Sequence, residues 1–280
     1  MLVSGRAWRK FRRNPLSVVG LVLVAGIVLL AVLAPFVTPY PQHAGPFVDF
    51  MNANRAPDLQ YWLGTDNIGR DLLSRIIYGY RISLVLGIVV LGIATPVGVL
   101  LGLIAGYAGG WADYVIMRVT DMFLAVPPLV LAMAIMGMME PTLVNGMIAV
   151  SAMWWPWYAR LAYSMARSES REDYVTAAAV VGAGPLRILI GQILPTCLPT
   201  IFTKVTLDLG FVIMIASSLS FLGLGVQPPT PDLGSMVAGG AQYLPDSWWV
   251  VVFPALAILL AVLGFNLLGD GLRDAMDQRL

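Results

Sequence analysis

The sequence predicts an all-α integral membrane protein with six transmembrane helices, from its composition, its apolar stretches and its charge distribution. Of its 280 residues, 58% are hydrophobic and only 12% are charged, and the mean hydropathy is +0.79. A soluble domain carries about a quarter charged residues and somewhat under half apolar ones. This composition excludes a disordered chain, a disulfide-stabilised scaffold and an ordinary cytosolic enzyme. It favours a chain that crosses a membrane several times.

The first apolar stretch predicts a transmembrane helix over residues 16–38. A basic N-terminus, 1–15, precedes it and resembles the start of a signal peptide. The stretch is longer than the roughly 7–15 apolar residues of a signal peptide, and no small-x-small cleavage site follows it. We therefore predict a retained membrane anchor whose basic N-terminus lies in the cytoplasm.

Further apolar stretches of about 20 residues bring the number of predicted spans to six. They cover 82–106, 116–138, 142–162, 197–221 and 249–269, and they form a five-helix core over 82–270. With the N-terminus inside, twelve Lys and Arg residues fall in cytoplasmic segments and four in external ones, as the positive-inside rule requires. An even number of spans places both termini in the cytoplasm, including a tail over 271–280.

The loop that is predicted outside the membrane, 39–81, divides into an irregular part and a helix. Its beginning is rich in Pro, Asn and Asp, and we expect His43, the only histidine in the chain, to be a solvated loop residue there. Its end, 70–80, places apolar side chains on one helical face and polar ones on the other. That pattern is typical of a helix that lies in the membrane interface.

The segment between the fourth and fifth spans, 163–196, is predicted to be cytoplasmic and to form a helix–turn–helix. Ser170 and Asp173 have the spacing of a capping box, and Gly182 stands where a helix needs a left-handed residue after its last turn. The prediction is a helix of about ten residues, a sharp turn at Gly182 and a second helical stretch that Pro195 ends. Alanines at 177–179 let another protein approach closely, which indicates a docking element.

The sequence offers little for catalysis or metal binding. One Cys and one His exclude an intrachain disulfide, a His-based triad and a zinc site. Neither of the two lysines follows the glycines of a P-loop, so an ATPase would have to be a separate chain. Glycines recur every four residues from Gly98 to Gly110 and predict close helix packing. Lys204 and Asp208, four residues apart, predict an intramembrane pair that is either structural or lines a solute path.

Motifs along nearly the whole chain resemble one family of membrane proteins. The run Thr176-Ala177-Ala178, with Gly182 and Leu194-Pro195 after it, is similar to the EAA loop of ABC-importer permeases. It departs from that pattern by Thr176 in place of Glu and by Gln192 in place of an aliphatic residue. Four other segments resemble the C-type permeases of the dipeptide/oligopeptide/nickel family: Phe11–Pro15, Leu63–Asp71, Leu219–Pro229 and Phe265–Asp274.

This resemblance implies a type I ABC-importer permease in the cytoplasmic (inner) membrane of a bacterium or an archaeon. It implies a second permease that shares the translocation pathway, two ATPase subunits and an external substrate-binding protein. ATP and magnesium belong to the ATPase subunits, and neither a cofactor nor nucleic acid is expected on this chain. The expected cargo is a di- or oligopeptide, with nickel, opines, haem or glutathione as alternatives. An ion-coupled secondary transporter is the alternative outside the family.

The resemblance also implies roles for particular residues, none of them catalytic or metal-binding. The residues expected to dock the ATPase are Tyr174, Thr176, Ala177, Ala178, Gly182, Leu194 and Pro195. The external motif supplies Asp66, Gly69, Arg70 and Asp71 as candidates for a gate or for contacts with cargo or the binding protein. Capping and solvation of the neighbouring helix is the alternative role for these residues.

Overall fold

The computed structural model describes residues 5–276, which are helical apart from loops and one isolated β-bridge between Thr65 and Asp71. The α-helices are α1 (Gly5–Arg13), α2 (Pro15–Val32), α3 (Ala34–Val37), α4 (Leu72–Ala108), α5 (Gly110–Leu124), α6 (Pro128–Met136), α7 (Leu143–Glu169), α8 (Asp173–Val180), α9 (Pro185–Ile188), α10 (Leu194–Phe221), α11 (Leu233–Ala241) and α12 (Trp249–Met276). Parts of the predicted N-terminus (1–4) and tail (277–280) lie outside the described residues.

Several helices of the described chain are long and apolar enough to cross a membrane. Four stretches meet this criterion alone: α2, α4, Pro185–Phe221 and α12. The α5–α6 pair meets it jointly but bends by 89° at Pro127 and Pro128, because proline cannot continue the hydrogen bonding of a helix. The helix α7 covers the predicted fourth span without meeting the criterion. The all-α membrane fold is confirmed, whereas six spans and cytoplasmic termini stay predictions.

The predicted interfacial helix is not a separate element. Residues 72–81 are the first turns of α4, which continues unbroken for 37 residues. Its apolar face, with Leu72, Ile76 and Tyr80, is buried against α11 and α12, and Tyr80 Oη donates a hydrogen bond to the Ala257 carbonyl at 3.0 Å. The prediction was wrong because an apolar helical stripe does not reveal whether lipid or protein covers it.

Close packing of α4 against α7 lies at the centre of the fold. Gly98, Gly102 and Gly106 face the backbone of α7, and a Cβ atom at Gly106 would lie 2.7 Å from the Tyr163 carbonyl oxygen. The predicted small-residue packing is therefore confirmed for these three glycines. Gly110, the first residue of α5, differs, because it has open space around it and a φ of +53°.

The two larger of three buried apolar clusters among residues 5–276 hold most of the helices together. One joins α2, the start of α4, α11 and α12. The other joins α4, α7 and α10 and includes Val175, Ile188 and Ile193 from the segment between α7 and α10. That segment is therefore packed onto the same core as the three long helices.

Candidate functional site

The segment 163–196 folds as the predicted helix–turn–helix. The helix α8 is followed by Gly182 with a φ of +90°. The Gly182 N–H donates to the Ala179 carbonyl at 3.0 Å, and the Ala183 N–H donates to the Ala178 carbonyl at 3.0 Å. These bonds form a Schellman motif, which satisfies the last carbonyls of α8 and turns the chain sharply.

Two details of this segment differ from the prediction. The N-cap of α8 is Glu172, without a side-chain capping bond, because Ser170 still belongs to the end of α7 and donates from Oγ to the Arg167 carbonyl. Pro195 does not end the second helical stretch. The chain passes through a π-helical turn at Leu189–Ile193 into α10, with Pro195 in the first turn of α10. A proline there needs no N–H donor, so it begins a helix instead of stopping one.

The tip of this segment, defined here as residues 176–190, exposes a group of apolar side chains. Val180, Val181 and Leu186 are 83%, 88% and 68% exposed, and Thr176 and Ala177 lie exposed beside them. An apolar patch of this kind is typical of an interaction surface. The sequence analysis did not name the two valines or Leu186. Their signal was available, since apolar residues flank the turn glycine on both sides.

Other predicted docking residues anchor the tip to the long helices. Ala178 and Leu194 pack against the buried core shared by α4, α7 and α10. The neighbouring Val175 belongs to that core. Tyr174 Oη donates to Glu169 Oε2 at 2.5 Å. Desolvation and this carboxylate raise the pKa of Tyr174 to about 12. The predicted set thus divides into an exposed group and a group that packs against the core.

The residues of the external motif form a charged cluster centred on Asp66. Its Oδ2 accepts from Arg70 Nε at 2.7 Å and lies 3.6 Å from Nε of Arg75, a buried arginine that the sequence analysis did not single out. Gly69 makes the adjoining turn with a φ of +82°, and the carbonyl of Asp49 leaves no room for a side chain on it. The charges of this cluster pair with one another.

Asp71 and His43 connect the external loop to α4. Asp71 is the N-cap of α4 and accepts from the Ser74 N–H through Oδ2 at 2.8 Å, which is the capping role that the sequence left open. The backbone N–H of Asp71 donates to Nδ1 of His43 at 2.8 Å. The histidine is 2% exposed and its ring stacks with Tyr40 and Phe47. The expectation of a solvated histidine was wrong, because the loop folds back over the start of α4.

Burial shifts the ionisation of both residues in this contact. It lowers the pKa of His43 below 6.5, although the neighbouring carboxylates, Asp71 first among them, act in the opposite direction. It raises the pKa of Asp71 above 3.8, against the hydrogen bonds from Ser74. Both shifts favour the neutral form of a buried group.

Lys204 and Asp208 form the predicted ion pair, with Nζ and Oδ1 2.8 Å apart. The other carboxylate oxygen, Oδ2, accepts from Trp154 Nε1 at 3.0 Å, and the ammonium lies 5.7 Å from the centre of the Tyr158 ring. The two aromatic residues belong to α7 and were not predicted. The bond from Trp154 to Asp208 joins residues 54 positions apart, for which a local sequence pattern carries no signal.

The described residues hold three features that are candidates for function. Within 5–276, no group of three His, Cys, Asp or Glu residues lies close enough to hold a metal ion. The three features are the exposed tip, the external charged cluster and the Lys204–Asp208 ion pair of α10, which Trp154 of α7 contacts.

Comparison with known families identifies the class of protein. Residues 98–280, more than half of the chain, match the family described as "Binding-protein-dependent transport system inner membrane component". The chain belongs to this family. Residues 4–57 of the permease also match the "N-terminal TM domain of oligopeptide transport permease C". The C-type ABC-importer family indicated by the motifs is therefore confirmed.

Curated relatives match the permease from end to end. It is 43% identical over 277 residues to the Di/tripeptide transport system permease protein DppC of Pseudomonas aeruginosa (strain UCBPP-PA14), over 98% of this chain and 91% of that protein. It is 43% identical over 280 residues to the Dipeptide transport system permease protein DppC of Escherichia coli (strain K12), over 98% and 92%. The Glutathione transport system permease protein GsiD of Escherichia coli O6:K15:H31 (strain 536 / UPEC) is 40% identical over 273 residues, 98% and 89% of the two chains.

A solved structure shares the fold of the permease. A chain of the MetNI methionine ABC transporter in an inward-facing conformation superposes with a TM-score of 0.57 at 19% sequence identity. The match covers 74% of this chain and 96% of that chain. The fold is that of an ABC-transporter permease.

Proposed function

We propose that this permease is a transmembrane subunit of an ATP-driven importer of dipeptides. The observation that carries the proposal is the similarity to dipeptide permeases over 98% of the chain. The exposed apolar tip supports it, because a transporter that works alone has no need of such a surface on an ordered helix–turn–helix. In this proposal the chain itself is not an enzyme.

The proposed complex has four protein partners for this chain. A second permease completes the translocation pathway, and two ATPase subunits hold ATP and magnesium. A binding protein delivers cargo to the external side, where the loop 39–71 lies in the predicted topology. The complex resides in the cytoplasmic membrane of a bacterium or an archaeon, with both termini of this chain inside.

The packing of the tip explains how motion of an ATPase reaches the membrane helices. The helix α8 is fixed to the core through Val175 and Ala178, and the chain continues from Pro185 to Phe221 as one membrane-length helical stretch. A displacement of the tip is therefore transmitted directly to α10 and its neighbours. Closure of the ATPase subunits on ATP opens the pathway outward for the delivered dipeptide, and hydrolysis resets it.

Uptake by the complete complex tests this function. Vesicles that contain the complex, with binding protein outside and ATP inside, should accumulate a labelled dipeptide, and vesicles without ATP should not. Accumulation by this chain alone, driven by an ion gradient, would instead make it a secondary transporter.

A variant at the tip tests the docking role. Ala177→Trp adds bulk to the exposed side of α8, so it should leave membrane insertion intact and lower the dipeptide uptake per ATP hydrolysed. Leu59→Trp, at a site 98% exposed in the external loop, is the matched control and should retain the wild-type ratio. Equal ratios for the two variants would contradict docking through this surface.

Glutathione is the second candidate cargo, because a glutathione permease matches 98% of this chain at 40% identity. A competition experiment distinguishes dipeptide from glutathione as the cargo. Excess unlabelled dipeptide should abolish uptake of the labelled dipeptide, whereas the same excess of glutathione should leave it unchanged. Uptake of labelled glutathione without any uptake of labelled dipeptide would assign glutathione.

A further inference from the structure

Lys204 places a positive charge deep within a membrane-length helix. It lies ten residues after Leu194 and seventeen before Phe221, about 15 Å and 26 Å along the helix axis at 1.5 Å per residue. A lysine side chain is shorter than either distance, so its ammonium does not reach either end of α10. Charges at such depth face protein or a water-filled cavity and are associated with function.

The ion pair has a closed side and an open side. Asp208 is closed, since its side chain is 4% exposed and its two oxygens accept from Lys204 and Trp154. The lysine side chain is 32% exposed. An ammonium has three donors, and Asp208 Oδ1 is the one acceptor that Nζ has among residues 5–276. The Lys204 ammonium is therefore held by Asp208 on one side and is accessible on the other.

The open side of Lys204 continues along one face of α10. Phe211 and Ser218 follow Lys204 at intervals of seven residues, close to two helical turns each, so the three share that face. Phe211 is exposed, and Ser218 and Ser217 supply the hydroxyl groups of an otherwise mostly apolar cavity of about 440 Å³. Lipid chains offer an ammonium no hydrogen-bond acceptor, so water or a polar ligand is the environment that suits Nζ of Lys204.

We propose that Lys204, held in place by Asp208 and Trp154, receives the free carboxylate of a dipeptide as it moves along this face of α10. This inference rests on the proposed dipeptide import and names a residue that contacts the cargo. The two free donors of Nζ match a carboxylate, which forms strong charge-assisted hydrogen bonds. Asp208 neutralises part of the attraction, and a site on a conducting path must also release its ligand.

Thiol labelling in the complete complex tests whether Lys204 faces water. Cys197 is the only cysteine of this chain and is buried, so Cys197→Ala gives a chain without thiols, whose labelling is read on its own band after the subunits are separated. In that background, Lys204→Cys should react with a methanethiosulfonate that carries an ethylammonium group. Phe202→Cys is the matched control: it is 62% exposed but lies two residues, about 200°, around α10, and it should not react. Absence of reaction at Lys204→Cys would overturn the proposal in favour of a lipid-covered or subunit-covered lysine.

The same variant tests the role of the charge. Unlabelled Lys204→Cys complexes should transport a dipeptide about tenfold more slowly, as expected for the loss of one charge-assisted hydrogen bond. The ethylammonium reagent should restore most of the rate, because it rebuilds a lysine-like side chain after assembly, whereas the neutral methyl reagent should not. Equal restoration by both reagents would overturn the carboxylate contact.

Transport of cargo should also protect the labelled position. Dipeptide supplied with binding protein and ATP should slow the labelling of Lys204→Cys several-fold, and binding protein alone should not. Labelling at an unchanged rate during active transport would contradict the contact. If the wild-type complex carried no dipeptide at all, the proposed cargo would be wrong, while the labelling pattern would still report whether Lys204 faces water.

Discussion

His43 Nδ1 accepts a hydrogen bond from the backbone N–H of Asp71 at 2.8 Å, and this contact joins the external loop to the first turn of the longest helix. The nitrogen can accept only while it carries no proton. The same aspartate caps α4 through Ser74. One neutral imidazole therefore fixes the point at which an irregular loop becomes a membrane helix.

Acidification should weaken this junction through His43. Its pKa in the folded protein is lowered below 6.5, so the unfolded chain binds the proton first. The stabilisation is complete above pH 6.5 and is lost as the pH falls through the lowered pKa. We expect the thermal midpoint of the detergent-purified complex to fall between pH 7 and pH 5, corresponding to about 1 kcal/mol for one buried hydrogen bond.

A His43→Gln variant is the control for this pH dependence. Glutamine offers an acceptor but does not titrate, so the variant should lose most of the decrease between pH 7 and pH 5. Asp71 is present in both proteins, and its raised pKa makes its own protonation stabilising as the pH falls, so the difference between the two proteins isolates His43. An identical decrease in both would assign the effect to another group.

Packing of α4 on α7 should be intolerant of one added methyl group at Gly102. A Cβ atom there would overlap the Ala159 carbonyl oxygen and lie 2.8 Å from the Ala162 Cβ atom. Gly102→Ala should therefore lower the free energy of unfolding by about 1–3 kcal/mol. The matched Gly92→Ala change, at a helical glycine with nothing within 4 Å, should be neutral or stabilising by up to about 1 kcal/mol. Thermal unfolding of both variants measures the contrast, and equal midpoints would show that the two helices separate easily.

The turn at the tip should depend on the left-handed conformation of Gly182. Its φ is +90° and the space around it is open, so Gly182→Ala adds only backbone strain, about 1–2 kcal/mol. Gly184→Ala is the matched control, since Gly184 also has open space and a φ of −69°. We expect the first variant to lower dipeptide uptake per ATP hydrolysed and the second to retain the wild-type ratio. A wild-type uptake per ATP hydrolysed in Gly182→Ala would show that coupling does not depend on this turn.

The Lys204–Asp208 ion pair within α10 should respond asymmetrically to substitution. Lys204→Met leaves the almost fully buried Asp208 charge without its partner and should lower the free energy of unfolding by about 3 kcal/mol. Asp208→Asn leaves the Lys204 ammonium without its partner, and because that side chain is 32% exposed, the free energy of unfolding should fall by less. The double variant should be more stable than Lys204→Met alone, because no unpaired charge remains. A double variant as unstable as the sum of the two single variants would exclude coupling between the residues.

Local sequence patterns were sufficient for the features that local interactions determine. The turn at Gly182 requires a left-handed residue, and glycine supplies it within a few positions of the helix that it ends. The four-residue glycine spacing likewise indicated close packing before the partner helix was known. In both cases the residue type and the conformation are linked by sterics over a short stretch.

Features that depend on distant contacts could not be predicted in the same way. The apolar stripe from Leu72 to Tyr80 reads identically whether lipid or α12 covers it, so the unbroken α4 was missed. His43 was assigned to solvent because its neighbours are turn formers, while its burial depends on α4 and Phe47. Trp154 meets Asp208 only because glycines bring α4 and α7 together and α10 packs beside them.

Native mass spectrometry of the permease, gently extracted with its co-expressed neighbours, tests the central claim that this chain is one half of an ATP-driven pathway. The account predicts a mass equal to this chain, a second permease and two ATPase subunits. A single chain, or a homodimer that moves solute without ATP, would contradict it.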